Sequence, residues 1–180
     1  HDSGQPLPRP QEADEARLPQ ASRHCRSQNT YLFPDSVLRH TSCLSRFEDI
    51  GPGSSFQPML KYANCDRISE CSTVFLISGK YVYDVQQLIQ EKGATKTCLL
   101  AIEELYPFPE ELLQESLKGL SPSAKIFWIQ EENFNGGPYQ FVENRVNRVL
   151  SNLGVSSELR FVGRRAIACT AVGSVELHKQ

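Results

Sequence analysis

The chain has 180 residues and a mass of 20.3 kDa, with 39% hydrophobic, 22% charged and 9% aromatic residues. That length and balance suit one globular core and exclude collagen-like, coiled-coil and wholly disordered chains. Nineteen Lys plus Arg against 21 Asp plus Glu leave a net charge of -2 and a pI near 6.1, so no field of one sign invites nucleic acid.

Residues 1–29 hold six apolar side chains among four prolines, four arginines and four acids, too little apolar surface to offset the entropy of ordering. They read as a disordered N-terminal segment. Arginines and serines there suggest a mitochondrial presequence, but Asp2, Glu12, Asp14 and Glu15 oppose it, because such peptides are poor in acids. His1 in place of an initiator Met points to a fragment, a processed product or a piece of something longer. Residues 30–72 read as an arm leading into the core, with a turn at Gly51-Pro52-Gly53 and a polar stretch over 61–72.

The core is expected over 73–180. It opens with Thr73-Val74-Phe75-Leu76-Ile77, apolar on both faces as in a strand covered from two sides. Ser78-Gly79-Lys80 makes a turn, and Val82, Val85, Leu88 and Ile89 recur at helical spacing before Gly93, a residue suited to a helix C-terminus. Thr97 to Ile102 is a second buried strand, Pro109 to Leu117 a helix opened by proline and acids, and Lys125 to Gln130 a third strand. Beyond Gly136-Gly137-Pro138, the residues Phe141, Val142, Val146, Val149, Leu150 and Leu153 line one helical face. Leu159 to Val162 gives a fourth strand, and Val175 to Leu177 is a candidate fifth. Strands alternating with helices imply right-handed crossovers and an α/β fold: a three-layer, doubly wound, mostly parallel sheet. The longest apolar run, Cys98 to Ile102, is far short of the roughly 18 to 20 residues that span a bilayer.

In such a sheet ligands favour the carboxyl ends of strands, which singles out Ser78-Gly79-Lys80 and the segment Gln130 to Tyr139. A glycine, a lysine and a following helix N-terminus could seat a phosphate or carboxylate; the competing reading is a tight turn with a solvated lysine. A nucleotide-hydrolysing loop is excluded, since it needs a second upstream glycine and Ser or Thr where Tyr81 stands. Glu103-Glu104 and Glu131-Glu132 follow the second and third strands, but neighbours on a strand point to opposite faces and do not share a proton. They read as helix-capping or arginine-pairing groups rather than catalysts. His1, His24, His40 and His178 are scattered and no paired CxxC or HExxH occurs, so no zinc site is recognisable. No Gly-x-Ser-x-Gly elbow supports a serine triad. Tyr81, Tyr83, Trp128, Phe134 and Tyr139 read as packing or interface residues. Six cysteines in a chain able to fold on its apolar core point to a reducing compartment. Cys65 and Cys71, six apart in a polar stretch, could pair or remain free surface thiols, and Cys98 and Cys169 lie in apolar or small-residue runs where free thiols pack.

Several strings occur in a familiar order: Val37-Leu38-Arg39-His40, Pro52-Gly53 before Phe56-Gln57-Pro58, Ser78-Gly79-Lys80 with Tyr83, and Glu103-Glu104-Leu105 before Pro107-Phe108-Pro109. Gln130-Glu131-Glu132, Gly137-Pro138 before Phe141-Val142, and Val162-Gly163-Arg164 before Ala171-Val172-Gly173 follow. From about Tyr31 to His178 the chain resembles the C-terminal domain of the E1 component of 2-oxoglutarate dehydrogenase, and within that family the 2-oxoadipate dehydrogenase branch. Asn133 stands where relatives usually have proline, and where they have Gly-Arg followed by Pro or Asp-Pro, here Arg164-Arg165-Ala166 follows Gly163.

The resemblance implies a transketolase-type C-terminal domain in a homodimeric enzyme of the mitochondrial matrix, dependent on thiamin diphosphate and magnesium. Its reactions would belong to the tricarboxylic acid cycle or lysine degradation, with the acyl group passed to a lipoyl E2 component. It also implies that the Gly-Asp-Gly loop and the activating glutamate lie in an upstream domain, so no catalytic or cofactor-binding residue is carried over. Expected contacts to the rest of the E1 chain or the second subunit are Lys80, Glu131, Glu132, Asn133, Gly136, Gly137 and Arg164. The rival expectations are a freestanding module for a phosphorylated ligand or coenzyme A ester at Ser78 to Lys80, and a truncated product with a former interface exposed.

Overall fold

The computed structural model describes residues 51–168. The chain forms two compact units, His1–Gln57 and Pro58–Gln180. Of the first, the described part is the expected glycine-proline turn, in which both the backbone N–H and the hydroxyl of Ser54 donate to the Gly51 carbonyl, at 3.1 and 2.8 Å. The candidate strand Val175 to Leu177 and Cys169 lie outside the described residues.

The second unit is built on five strands: β1 (Met59–Ala63), β2 (Thr73–Ile77), β3 (Thr97–Ile102), β4 (Lys125–Asn133) and β5 (Leu159–Arg164). A 3₁₀ segment, Cys65–Glu70, and three helices, α1 (Val82–Glu91), α2 (Glu110–Ser116) and α3 (Tyr139–Asn152), connect them. The spatial order is β1-β3-β2-β4-β5, with β3, β2, β4 and β5 parallel and β1 antiparallel on the edge. The fold class is therefore α/β with a mostly parallel sheet, as the alternation of periodicities predicts.

Alternate side chains of the strands serve two cores. Val74, Leu76, Cys98, Leu100, Ile102, Ile126 and Trp128 pack with Leu113 of α2, Leu117 just beyond its end, and Val142, Val146, Val149 and Leu150 of α3. Their neighbours Phe75, Ile77, Leu99, Ala101, Phe127 and Ile129 face the other way, where α1 buries Val82, Val85 and Ile89. Burying several such side chains at about 1.5 to 3 kcal/mol each is what makes the central strands apolar on both faces. The two helix layers follow from right-handed crossovers: β2 to β3 runs one way along the sheet, while β3 to β4 and β4 to β5 run the other.

Two elements differ from the sequence expectation. The polar run over 61–72, read as part of an arm, contains the end of β1 and the 3₁₀ segment; β1 is half-buried, and Lys61 at its centre is its exposed position. Asn64, at a left-handed φ of 53°, fixes the exit from β1 by donating to Ala94 O and Thr97 O at 3.2 and 2.8 Å. The third predicted strand does not stop at Gln130 but continues through Glu131 and Glu132 to Asn133. Its pairing with β5 is irregular between Ile129 and Asn133, which lets the polar residues of this stretch turn toward the following loop.

Candidate functional site

β2 and β4 are adjacent and parallel, and their crossovers leave in opposite directions, β2 toward β3 and β4 toward β5. Their carboxyl ends therefore flank the topological switch point, where open α/β sheets carry a crevice. Ser78-Gly79-Lys80 leaves one strand and Gln130 to Tyr139 the other, so the two segments singled out by position meet in space.

What fills the crevice is an ion pair. Lys80 Nζ stands 3.6 Å from Glu131 Oε2, with about a fifth of each side chain exposed, at 20% and 22%. Gly79, at φ 84°, supplies the left-handed residue that the turn requires. The first N–H groups of α1 are turned back into that loop: Val82 N–H donates to Gly79 O and Tyr83 N–H to Lys80 O. These bonds use the donors an anion would need, and Glu131 supplies negative charge to the lysine. The geometry thus favours the tight-turn reading of Ser78 to Lys80 over a phosphate seat.

Beneath the pair lies a polar knot whose centre, Gln130, is 4% exposed. Its Oε1 accepts from Trp128 Nε1 at 2.9 Å and from the backbone N–H of Tyr139 at 3.2 Å, and its Nε2 donates to Asn133 O at 2.9 Å. The side chain therefore ties the end of β4 to the start of α3 and satisfies the buried indole. Asn133, 5% exposed, donates to Asn135 Oδ1 at 2.6 Å, and Asn135 in turn bonds both Ile167 O and Ile167 N–H.

The two glycines are explained by close approach. A Cβ on Gly137 would run into the amide of Gln130, and one on Gly136 would sit 2.6 Å from Asn133 Oδ1. Arg164 ends β5 in register with Asn133, and its carbonyl accepts from Phe134 N–H at 2.9 Å. Glu132 contributes its carbonyl to Gln130 Nε2 at 3.4 Å. Lys80, Glu131, Glu132, Asn133, Gly136, Gly137 and Arg164 thus belong to one cluster at the carboxyl ends of β2, β4 and β5. Glu103 and Glu104 lie apart from it, their N–H groups donating to Pro58 O.

Gln130 and Tyr139, which bound the segment that position singles out, join the cluster without being among the expected contacts. Tyr139 packs with Phe134 and Phe161 at ring distances of 5.0 to 5.2 Å, in accord with the packing role expected of these aromatics. Its hydroxyl donates to Glu143 Oε1 at 2.8 Å, and burial, aided by that bond, raises its pKa to about 12. The signal in the sequence was a glutamine closing an apolar strand, which in a buried position demands partners.

The cysteines correct an expectation. Cys65 and Cys71 are neither paired nor on the surface: both are buried, and Cys65 faces Cys98. Among the described residues no group of three or more His, Cys, Asp or Glu side chains could hold a metal ion, and no helix is long and apolar enough to cross a membrane.

A five-stranded, mostly parallel sheet with helices between its strands, and a polar cluster at the carboxyl ends of β2, β4 and β5, defines an α/β domain. Its affiliation is specific. The model of the family described as 2-oxoglutarate dehydrogenase C-terminal matches residues 44–180. The chain is 33% identical over 150 residues to a probable 2-oxoadipate dehydrogenase complex component E1 homolog of Dictyostelium discoideum, covering 82% of this chain and 16% of that protein. It is 34% identical over 164 residues to the 2-oxoadipate dehydrogenase complex component E1 of Danio rerio, covering 89% and 17%. With the 2-oxoglutarate dehydrogenase E1 component of Azotobacter vinelandii it shares 33% identity over 161 residues, again 89% and 17%. The chain belongs to the 2-oxoglutarate dehydrogenase C-terminal family, and it spans about a sixth of the length of these relatives.

Proposed function

We propose that this chain is a non-catalytic C-terminal domain of a 2-oxo acid dehydrogenase E1, shaping the subunit contact and the active-site entrance of a homodimer. The observation that carries the reading is the closed crevice: Lys80 is engaged by Glu131, and Gln130, Asn133 and the two glycines pack the space behind them. An arrangement in which each polar group holds another is suited to a rigid surface for protein contacts. The exposed Tyr106 and Leu112, which follow the carboxyl end of β3, add apolar area to that end of the sheet.

The parent activity would be oxidative decarboxylation of 2-oxoglutarate or 2-oxoadipate with acyl transfer to a lipoyl E2 component, in the mitochondrial matrix. Thiamin diphosphate with magnesium supplies the carbanion-stabilising chemistry in such enzymes. The described residues of this chain do not fit that group, since among them no cluster of His, Cys, Asp or Glu could hold its magnesium. What these residues do is hold a loop in place: Gln130 and Asn133 orient it, and Lys80 with Glu131 fixes its outer edge.

Calorimetric titration of the full chain with thiamin diphosphate and magnesium tests the reading. Heat no greater than dilution is expected; saturable binding would overturn it. The freestanding-ligand alternative loses its main support from the occupied N–H groups of α1, and retained affinity for a coenzyme A ester that vanishes in Lys80→Ala would restore it.

A further inference from the structure

We propose that Cys65 and Cys98 form a thiol pair that a hydroperoxide converts to an intrachain disulfide, making the β1–β3 edge a site of reversible oxidation. Their sulfurs lie 2.9 Å apart, with Cys98 placed as the donor to Cys65, well inside the contact distance of two unbonded sulfur atoms. Closure to the roughly 2.05 Å of a disulfide asks for a shift of under about 1 Å. Antiparallel pairing of β1 with β3, Ala63 opposite Leu99, brings Cys65 to this place. In the reduced pair its thiol is directed at the carbonyls of Leu99 and Ala63, at 3.0 and 3.1 Å. Cys71, the nearer residue in sequence, is turned away, its thiol directed at Arg67 O and Asn64 O at 3.4 and 3.7 Å.

The two sulfurs are not equivalent. Cys65 is 7% exposed and Cys98 fully buried, so Cys65 is the member of the pair nearer to solvent. Donation from Cys98 holds the Cys65 thiol down at about 7 against the opposing effect of burial, while Cys98, as the donor and buried, is pushed up and keeps its proton. The Cys65 thiolate attacks the peroxide oxygen, breaking the O–O bond and forming a sulfenic acid with release of water. Cys98 then attacks that sulfur, the S–O bond breaks, and a second water leaves with the Cys98 proton. Two thiols and one hydrogen peroxide thus give one disulfide and two waters, the two electrons passing from sulfur to oxygen. The closed loop encloses β2, the Ser78-Gly79-Lys80 turn and α1, so oxidation tethers the 3₁₀ segment to the central sheet.

The test is peptide mapping of the folded full chain after hydrogen peroxide treatment and alkylation of the remaining thiols. A peptide pair joining Cys65 to Cys98, lighter by two hydrogens and released by dithiothreitol, is expected. Cys71→Ser should keep that link at wild-type yield, whereas Cys65→Ser should leave Cys98 as an alkylatable thiol. A link from Cys65 to Cys71, a sulfinic acid at Cys65 beside free Cys98, or both thiols intact while other cysteines oxidise would each overturn the proposal.

Discussion

The side-chain amide of Gln130 occupies the space that a methyl group on Gly137 would need. The glycine is thus part of the polar knot it borders: β4 can end in a buried amide because the loop beside it presents bare backbone.

Gly137→Ala should therefore destabilise the fold by about 1 to 3 kcal/mol, the usual range for overpacking a filled site. Gln130 cannot give way cheaply, since Trp128, Tyr139 and Asn133 hold it. Urea unfolding followed by circular dichroism measures the loss. An unchanged midpoint would show that the amide moves freely.

Gln130→Leu keeps the volume and removes the acceptor shared by Trp128 Nε1 and the Tyr139 N–H. Each orphaned buried donor should cost about 1 to 3 kcal/mol. Trp128 is the sole tryptophan, so its fluorescence reports the lost bond directly, with an emission change in the folded variant that Lys80→Ala does not produce.

A double-mutant cycle on Lys80→Ala and Glu131→Ala should return a coupling of only about 0.2 to 1 kcal/mol. The pair is partly solvated, and its 3.6 Å separation is longer than a charge-assisted hydrogen bond. Its weight is in shape and charge at the crevice. In an assembled E1, Glu131→Lys should weaken subunit association far more than it lowers the stability of the domain, which sedimentation and thermal melting compare.

Tyr139 contributes a pH dependence on the alkaline side. Its pKa is raised from 10 in the unfolded chain to about 12, so the folded state favours the protonated phenol. The stabilisation is fully present below about pH 10 and is lost as pH rises through 12. Tyr139→Phe should flatten that segment of the stability profile, and an equal decline in both proteins would contradict the assignment.

Much of this fold was legible before its geometry. β2 and β3 were predicted with the bounds they have, because continuous apolar runs between turn signals mark strands covered on both faces. β1 was not, since an edge strand with Lys61 at its centre lacks that signature and is defined by its partner β3, some 40 residues later. The last three residues of β4 lack the signature for a related reason: Glu131, Glu132 and Asn133 are polar and read as loop residues until the bonds of Asn133 and its pairing with β5 are seen. Position alone placed Lys80 and Glu131 at the same end of the sheet. That they engage each other depends on β2 lying beside β4, a consequence of topology that spacing in sequence does not carry.

On the proposed reading this chain contributes form to an E1 and no reacting groups of its own. Release of labelled carbon dioxide from 2-oxoadipate and 2-oxoglutarate, with the full chain, thiamin diphosphate, magnesium and an artificial electron acceptor, tests it most directly. Release no faster than without protein is the predicted result. Release that rises in proportion to the amount of this chain would contradict it.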